Sequence, residues 1–221
     1  MAGRQPIRII PAVLAETWEE FAARMRQAEA FADYVQIDMM DGAFVPSRSF
    51  PPEMLPRLQT RLSFEAHLMV NDPLDWLGRM RNPGLRKVIF HIESGADPLD
   101  AIAHITEAGI EAAVAFRPET PLADFAEIAR QAGSLLFLTV DPGRYGSPFH
   151  PEVLEKVRDA RRMFPDKEIA VDGGVSPENL GEIRRAGADA AAVGSRIFLK
   201  GDPAANYRLF TEAARRSATG G

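Results

Sequence analysis

The residues of this 221-residue chain that could do chemistry gather at the ends of short apolar runs. In VQIDMMDGAFVP, Gln36 and Asp38 close such a run, and Asp41 follows three residues after Asp38. His67 lies in EAHLMV, His91 and Glu93 in HIES, Arg117 after AVAF, Asp141 after LTV, and Asp172 at the end of AVD. Carboxylates and imidazoles are the side chains that most often move protons near neutral pH. With no cysteine in the chain, any metal must also be held by nitrogen and oxygen ligands, and no thiol can act as a nucleophile. Asp38, His67 and Asp172 stand out, because ionisable groups at the ends of buried runs are costly without a use. Asp41, followed by glycine, reads as a residue that shapes its loop. His91 and Glu93 either orient a neighbour or satisfy each other, and His104 and His150 read as surface residues.

Eight apolar runs rich in Val, Ile, Ala and Phe carry these groups: Ile7–Val13, Tyr34–Asp38, Leu62–Met69, Lys87–Ile92, Glu111–Phe116, Ser134–Val140, Glu168–Asp172 and Asp189–Val193. Amphipathic segments with helix punctuation lie between them. Thr17 and Glu20 have the spacing of a capping box, Pro73 and Pro98 stand at helix starts, and Gly187 ends a helix. Strand and helix alternate without a linker, so residues 1–221 are expected to form one α/β domain, a (β/α)8 TIM barrel. An open doubly wound sheet is the rival, but IIPAVLAET lacks the glycine-rich loop that would follow its first strand. In a barrel the strand ends meet at one mouth. Gln36 and Asp38, two apart on a strand, then point the same way, into the barrel.

Composition narrows the function classes. The net charge of −5 and the absence of any Lys/Arg block give no nucleic-acid footprint. The N-terminus lacks a signal-peptide core, and no apolar run is long enough to span a membrane. A cytoplasmic enzyme or binding protein, expected to be a homo-oligomer, is the reading, with no membrane or nucleic-acid partner.

The motifs IDMMDGAFVP, EAHLMV, HIES, TVDPG, AVDGGV and GADAAAVGSRIF occur in the order and spacing of the ribulose-phosphate 3-epimerases, and the chain resembles that family over nearly its whole length. The resemblance implies a (β/α)8 barrel that inverts carbon 3 of a ketopentose phosphate and holds a divalent metal (Zn, Mn, Fe or Co) with two Asp and two His. Asp38, His67 and Asp172 match three of those ligands. Gln36 stands where the fourth, a His, is found, which implies looser metal binding. Ala12 replaces a serine of the first strand, Arg117 an asparagine, and Arg144 and Tyr145 alter a glycine-rich phosphate loop.

The residues can support such chemistry. Epimerisation beside a ketone needs one group to take a proton from one face of the carbon and another to return one to the opposite face. Asp38 and Asp172 fit those roles, and two neighbouring carboxylates split their pKa values in the required sense. A neutral Gln36 oxygen is a weaker metal ligand than imidazole. Phosphate is expected at Gly143, Gly146, Gly173, Gly174, Gly194 and Ser195, with Met40 and Met69 as an apolar floor beside the reacting carbon. Arg48, Arg117, Arg144 and Arg196 sit in or beside the mouth loops and suggest a substrate more anionic than a simple pentose phosphate. The rival functions are a phosphorylated-sugar-binding barrel without epimerase activity and a lyase. The lyase is disfavoured because Met39 and Met40 stand where related barrels place a lysine between acidic residues.

Overall fold

The computed structural model describes residues 5–143 and 146–219. In chain order its elements are β1 (Arg8–Leu14), α1 (Trp18–Ala28), β2 (Tyr34–Met40), a 3-10 turn (Pro52–Arg57), β3 (Ser63–Met69), α2 (Pro73–Arg79), β4 (Leu85–His91), α3 (Pro98–Glu107), β5 (Glu111–Phe116), a second 3-10 turn (Leu122–Phe125) and α4 (Ala126–Gln131). There follow β6 (Ser134–Leu138), α5 (Val153–Met163), β7 (Glu168–Asp172), α6 (Leu180–Ala186), β8 (Ala190–Val193), α7 (Ser195–Phe198) and α8 (Pro203–Thr219). The strands pair in parallel and in sequence order, and β8 closes on β1. This is the expected (β/α)8 barrel.

Local signals explain the helix ends. The Asp72 and Asp97 side chains accept the amides that open α2 and α3, where Pro73 and Pro98 need no donor of their own. Gly187 caps α6 in the left-handed region at φ 119°. The capping box at α1 is only half formed. Thr17 accepts from the Glu20 amide, but Glu20 reaches back to the Glu16 amide rather than to that of Thr17.

Alternation along the strands divides two cores. Outward residues such as Val35, Ile37, Phe64, Leu68, Phe90 and Phe137 pack under the helices. Inside the barrel, Ile10, Ile89, Ala113, Leu136, Ala170 and Ala190 form an apolar middle. Below it lies a polar plug. Lys87, 5 % exposed, faces Glu168 at 2.6 Å, Glu111 at 3.3 Å and Glu65 at 3.9 Å. Arg8 adds a second bond to Glu168 at 3.1 Å, and the Tyr34 hydroxyl donates to Glu65 at 3.0 Å. Burial pushes Glu65 up despite Lys87, while Glu168, also opposed by burial, is held down by Lys87 and Arg8. Removing one partner of a buried ionic set leaves the others unpaired. Lys87→Met is therefore expected to cost about 3–5 kcal/mol in urea unfolding; a loss below ~1 kcal/mol would show that the plug is not held by this lysine.

Candidate active site at the barrel mouth

Parallel pairing brings the chemistry together above the apolar middle. Asp38 sits opposite His67 on β3, and Asp172 lies beside Ala192 on β8. From β7 to β2 the ring passes only through β8 and β1, whose inward residues near the mouth include the small Ala192 and Ala12 beside Leu14. These small side chains leave room, and a cavity of about 400 Å³ opens there. Asp38, His67, Met69, Asp172, Gly173, Gly174, Gly194, Ser195, Gly143 and Gly146 all line it. Gln36 and Met40 do not. Gln36 is fully buried beneath Asp38, and Met40 packs against Val45 and Met69 at the rim.

Gln36 has an unexpected posture. Its Nε2 donates to Asp38 Oδ1 at 2.8 Å and to Asp172 Oδ2 at 2.7 Å, so one carboxamide bridges the two carboxylates. His67 Nδ1 approaches the same two oxygens at 3.2 and 3.3 Å. Burial pushes Asp38 up, with the nearby Asp172 charge acting in the same sense and His67 and Gln36 against it. For His67, burial favours the neutral ring, but Asp172 and Asp38 outweigh it and raise the imidazole to about 9. The two carboxylates thus favour the protonated ring at neutral pH.

The donor set fits a divalent ion. Asp38, His67 and Asp172 each offer one ligand atom, all within 4.8 Å of one another. Gln36 Oε1 is buried without a partner, and rotation of the amide exchanges it with the Nε2 now lying between the carboxylates. Two hard oxygens, one nitrogen and a neutral carbonyl suit a divalent cation of oxygen-accepting or borderline character.

Further out, the second layer is ordered. His67 Nε2 lies 3.0 Å from His91 Nε2, and His91 Nδ1 lies 3.1 Å from Glu93 Oε2. Burial pushes His91 down to about 4 against the pull of Glu93. Burial opposes ionisation of Glu93, yet hydrogen bonds from His91, Thr120 and the Arg117 amide hold it at about 2. Asp41 shapes its loop as its sequence suggests, accepting from the amides of Ala43, Phe44 and Asn71. Asp141 stays outside the cluster, beside His150 at 3.6 Å.

At the far end of the cavity, glycine is required. Gly173 has φ 102°, and a Cβ there would meet Val140 at 2.3 Å; Gly174 has φ 62°, and its Cβ would meet Phe149 at 2.8 Å. Ser176 and Asn179 also line this end, residues that the motif reading passed over. Their signal was the spacing in SPEN, where Asn179 Oδ1 accepts the Ser176 amide and Asn179 Nδ2 donates to the Gly174 carbonyl.

The arginines divide. Arg196 lines the cavity, whereas Arg117 lies over the Phe44 ring at 4.1 Å and donates to the Phe44 carbonyl at 3.0 Å. Arg48 pairs its backbone with Asp41. Arg144 and Tyr145 lie outside the described residues.

Residues 8–198 match the model of the ribulose-phosphate 3 epimerase family. The ribulose-phosphate 3-epimerase of Candida glabrata is 30 % identical over 227 residues, covering 94 % of this chain and 92 % of that protein. The cytoplasmic isoform of Oryza sativa subsp. japonica is 33 % identical over 210 residues, covering 92 % of each. Among solved structures, the 3-hexulose-6-phosphate synthase of Salmonella typhimurium superposes with a TM-score of 0.71 at 19 % identity, over 96 % of this chain and all of its own, a likeness of fold. No helix among the described residues is long and apolar enough to cross a membrane.

Proposed function

We propose that this chain, which belongs to the ribulose-phosphate 3-epimerase family and is an enzyme of the isomerase class, interconverts ribulose 5-phosphate and its carbon-3 epimer by proton transfer between Asp38 and Asp172. The observation that carries this reading is the pair of carboxylates lining one cavity that also reaches the glycine loops after β7 and β8. One carboxylate takes the carbon-3 proton, the ketone and its neighbour become an enediolate, and the other carboxylate returns a proton to the opposite face. Burial pushes the Asp38 carboxyl upward, and the two carboxylates must start in opposite protonation states for either direction of the reaction. Asp38, His67 and Asp172, with Gln36 turned to present Oε1, would hold a divalent cation. Bound there, the ion would stabilise the negative charge of the enediolate. Gly173, Gly174, Gly194 and Ser195 receive the phosphate, and Met69 closes the apolar side of the cavity. Phosphorylated and unphosphorylated ribulose distinguish this reading: kcat/KM is expected to fall at least ~100-fold without the phosphate, and equal rates would remove the glycine loops from substrate binding.

A second reading, a sugar-phosphate-binding barrel without turnover, has one observation in its favour: the Gln36 amide already cross-links the two carboxylates. Gln36→His tests whether that posture weakens the hold on a metal. Imidazole binds a borderline metal more strongly than a carboxamide oxygen does. The substitution is expected to tighten Zn2+ or Mn2+ binding by about 10-fold or more in direct titration. Tight stoichiometric binding by the wild type, unchanged in the variant, would show that Gln36 is already a competent ligand or a bystander.

A further inference from the structure

We infer that Glu93 and His91 are positioning residues that act through His67, fixing its ring with the proton on Nε2 so that Nδ1 faces Asp38, Asp172 and Gln36. The inference rests on the metal-assisted reading above only for its use, since the hydrogen bonds themselves do not require turnover. Neither Glu93 nor His91 lines the cavity.

The polarity of the chain follows from what each group can donate. Glu93 Oε1 accepts the Arg117 backbone amide at 2.9 Å, and its Oε2 faces His91 Nδ1 at 3.1 Å. An ionised carboxylate can only accept, so the His91 proton sits on Nδ1. A neutral ring has one proton, which leaves His91 Nε2 a bare lone pair facing His67 Nε2 at 3.0 Å. His67 must therefore donate from Nε2. The opposite arrangement would set a bare Nδ1 lone pair of His91 against the Glu93 carboxylate. His67 Nε2 keeps its proton whether or not Nδ1 carries one, so the relay is the same with and without an ion.

The surroundings make this polarity hard to reverse. His67 and His91 are fully buried, with their rings 5.1 Å apart and nearly parallel at 26°. The Phe44 ring lies 4.9 Å from His91, and the Arg117 guanidinium lies over Phe44. No other donor competes for His91 among the described residues. Glu93 thus binds the loop after β5 and the tautomer of His67 into one unit, and ligand orientation through the far ring nitrogen is worth much of a metal site's affinity.

The test uses the full chain labelled with 15N-histidine and two-bond 1H–15N correlation spectra. There are four histidines, and His104→Gln and His150→Gln assign the two outside the relay. Wild-type His91 is expected to show a protonated Nδ1 and a bare Nε2, with and without Zn2+; His67 in the Zn2+-loaded protein is expected to show a protonated Nε2. In Glu93→Ala, His91 is expected to lose its Nδ1 preference, and Zn2+ affinity to fall about 10- to 100-fold. Glu93→Gln keeps a carbonyl acceptor and is expected to fall between the two. A wild-type His91 protonated on Nε2 would overturn the relay, as would Glu93→Ala holding Zn2+ within about twofold of wild type. The wild-type spectrum stands even if the variant does not fold. Since no turnover is read, a protein with the expected tautomers but no epimerase activity would count against the proposed function and leave the relay intact.

Discussion

Asp38→Asn and Asp172→Asn should each abolish epimerisation while leaving half of the proton chemistry. Each carboxylate serves one face of carbon 3, so a variant lacking one base can still exchange the proton presented to the other. Asn is nearly isosteric, and its carbonyl oxygen can still accept from Gln36 Nε2, which now spans the pair at 2.8 and 2.7 Å. The fold should therefore survive, as a thermal melt would show. Loss of a positioned proton carrier costs about 10²–10⁴-fold in rate. At saturating Mn2+, to separate proton transfer from lost ligation, kcat/KM for epimerisation should fall by that order in both variants. Deuterium exchange in D2O should persist for only one epimer in each, and for opposite epimers in the two. Either variant retaining more than about a tenth of the wild-type rate would exclude it from proton transfer.

A second large effect lies in the pH dependence of metal binding. Asp172 and Asp38 raise His67 to about 9 against its burial, so at neutral pH a proton occupies the nitrogen that faces the carboxylates. A divalent ion must displace it, because a metal binds the lone pair and not the N–H. Apparent affinity should rise by about tenfold per pH unit until it levels near 9, with close to one proton released per ion at pH 7. The raised pKa of Asp38 acts in the same direction. Stability of the metal-free chain should move oppositely. A base whose folded pKa is raised from 6.5 to about 9 contributes stability that is full below 6.5 and lost as pH rises through about 9. Calorimetric titration in buffers of different ionisation enthalpy reads the proton count, and melts with chelator read the stability. Affinity independent of pH between 6.5 and 9 would show that His67 is neutral before the ion arrives.

Much of this site was legible because strands have a period of two. Asp38, His67 and Asp172 interrupt apolar runs at their ends, where barrel geometry gathers side chains, and the structure brings all three within 4.8 Å. The orientation of Gln36 was not legible. A carboxamide offers either a donor or an acceptor, and only the positions of both carboxylates, 136 residues apart for Gln36 and Asp172, select the nitrogen. Met40 shares the inward face of Gln36 and Asp38 but lies one layer higher, where the loop held by Asp41 folds Val45 and Phe44 over it. That return of the chain leaves no mark on strand periodicity. The polar plug was hidden for a related reason: Arg8, Glu65, Lys87 and Glu168 are scattered in sequence as ordinary charged residues, and only strand register together with closure of the barrel makes them neighbours. The polarity of the Glu93–His91–His67 chain likewise emerges only from distances.

The most direct test follows carbon 3 itself. Ribulose 5-phosphate incubated with the metal-supplied protein in D2O and followed by 1H NMR should lose its carbon-3 proton signal while the carbon-3 epimer accumulates to equilibrium, with deuterium at carbon 3 of both sugars. Saturable binding of ribulose 5-phosphate with neither exchange nor a second epimer would contradict proton transfer between Asp38 and Asp172 and leave the barrel as a binder of sugar phosphate.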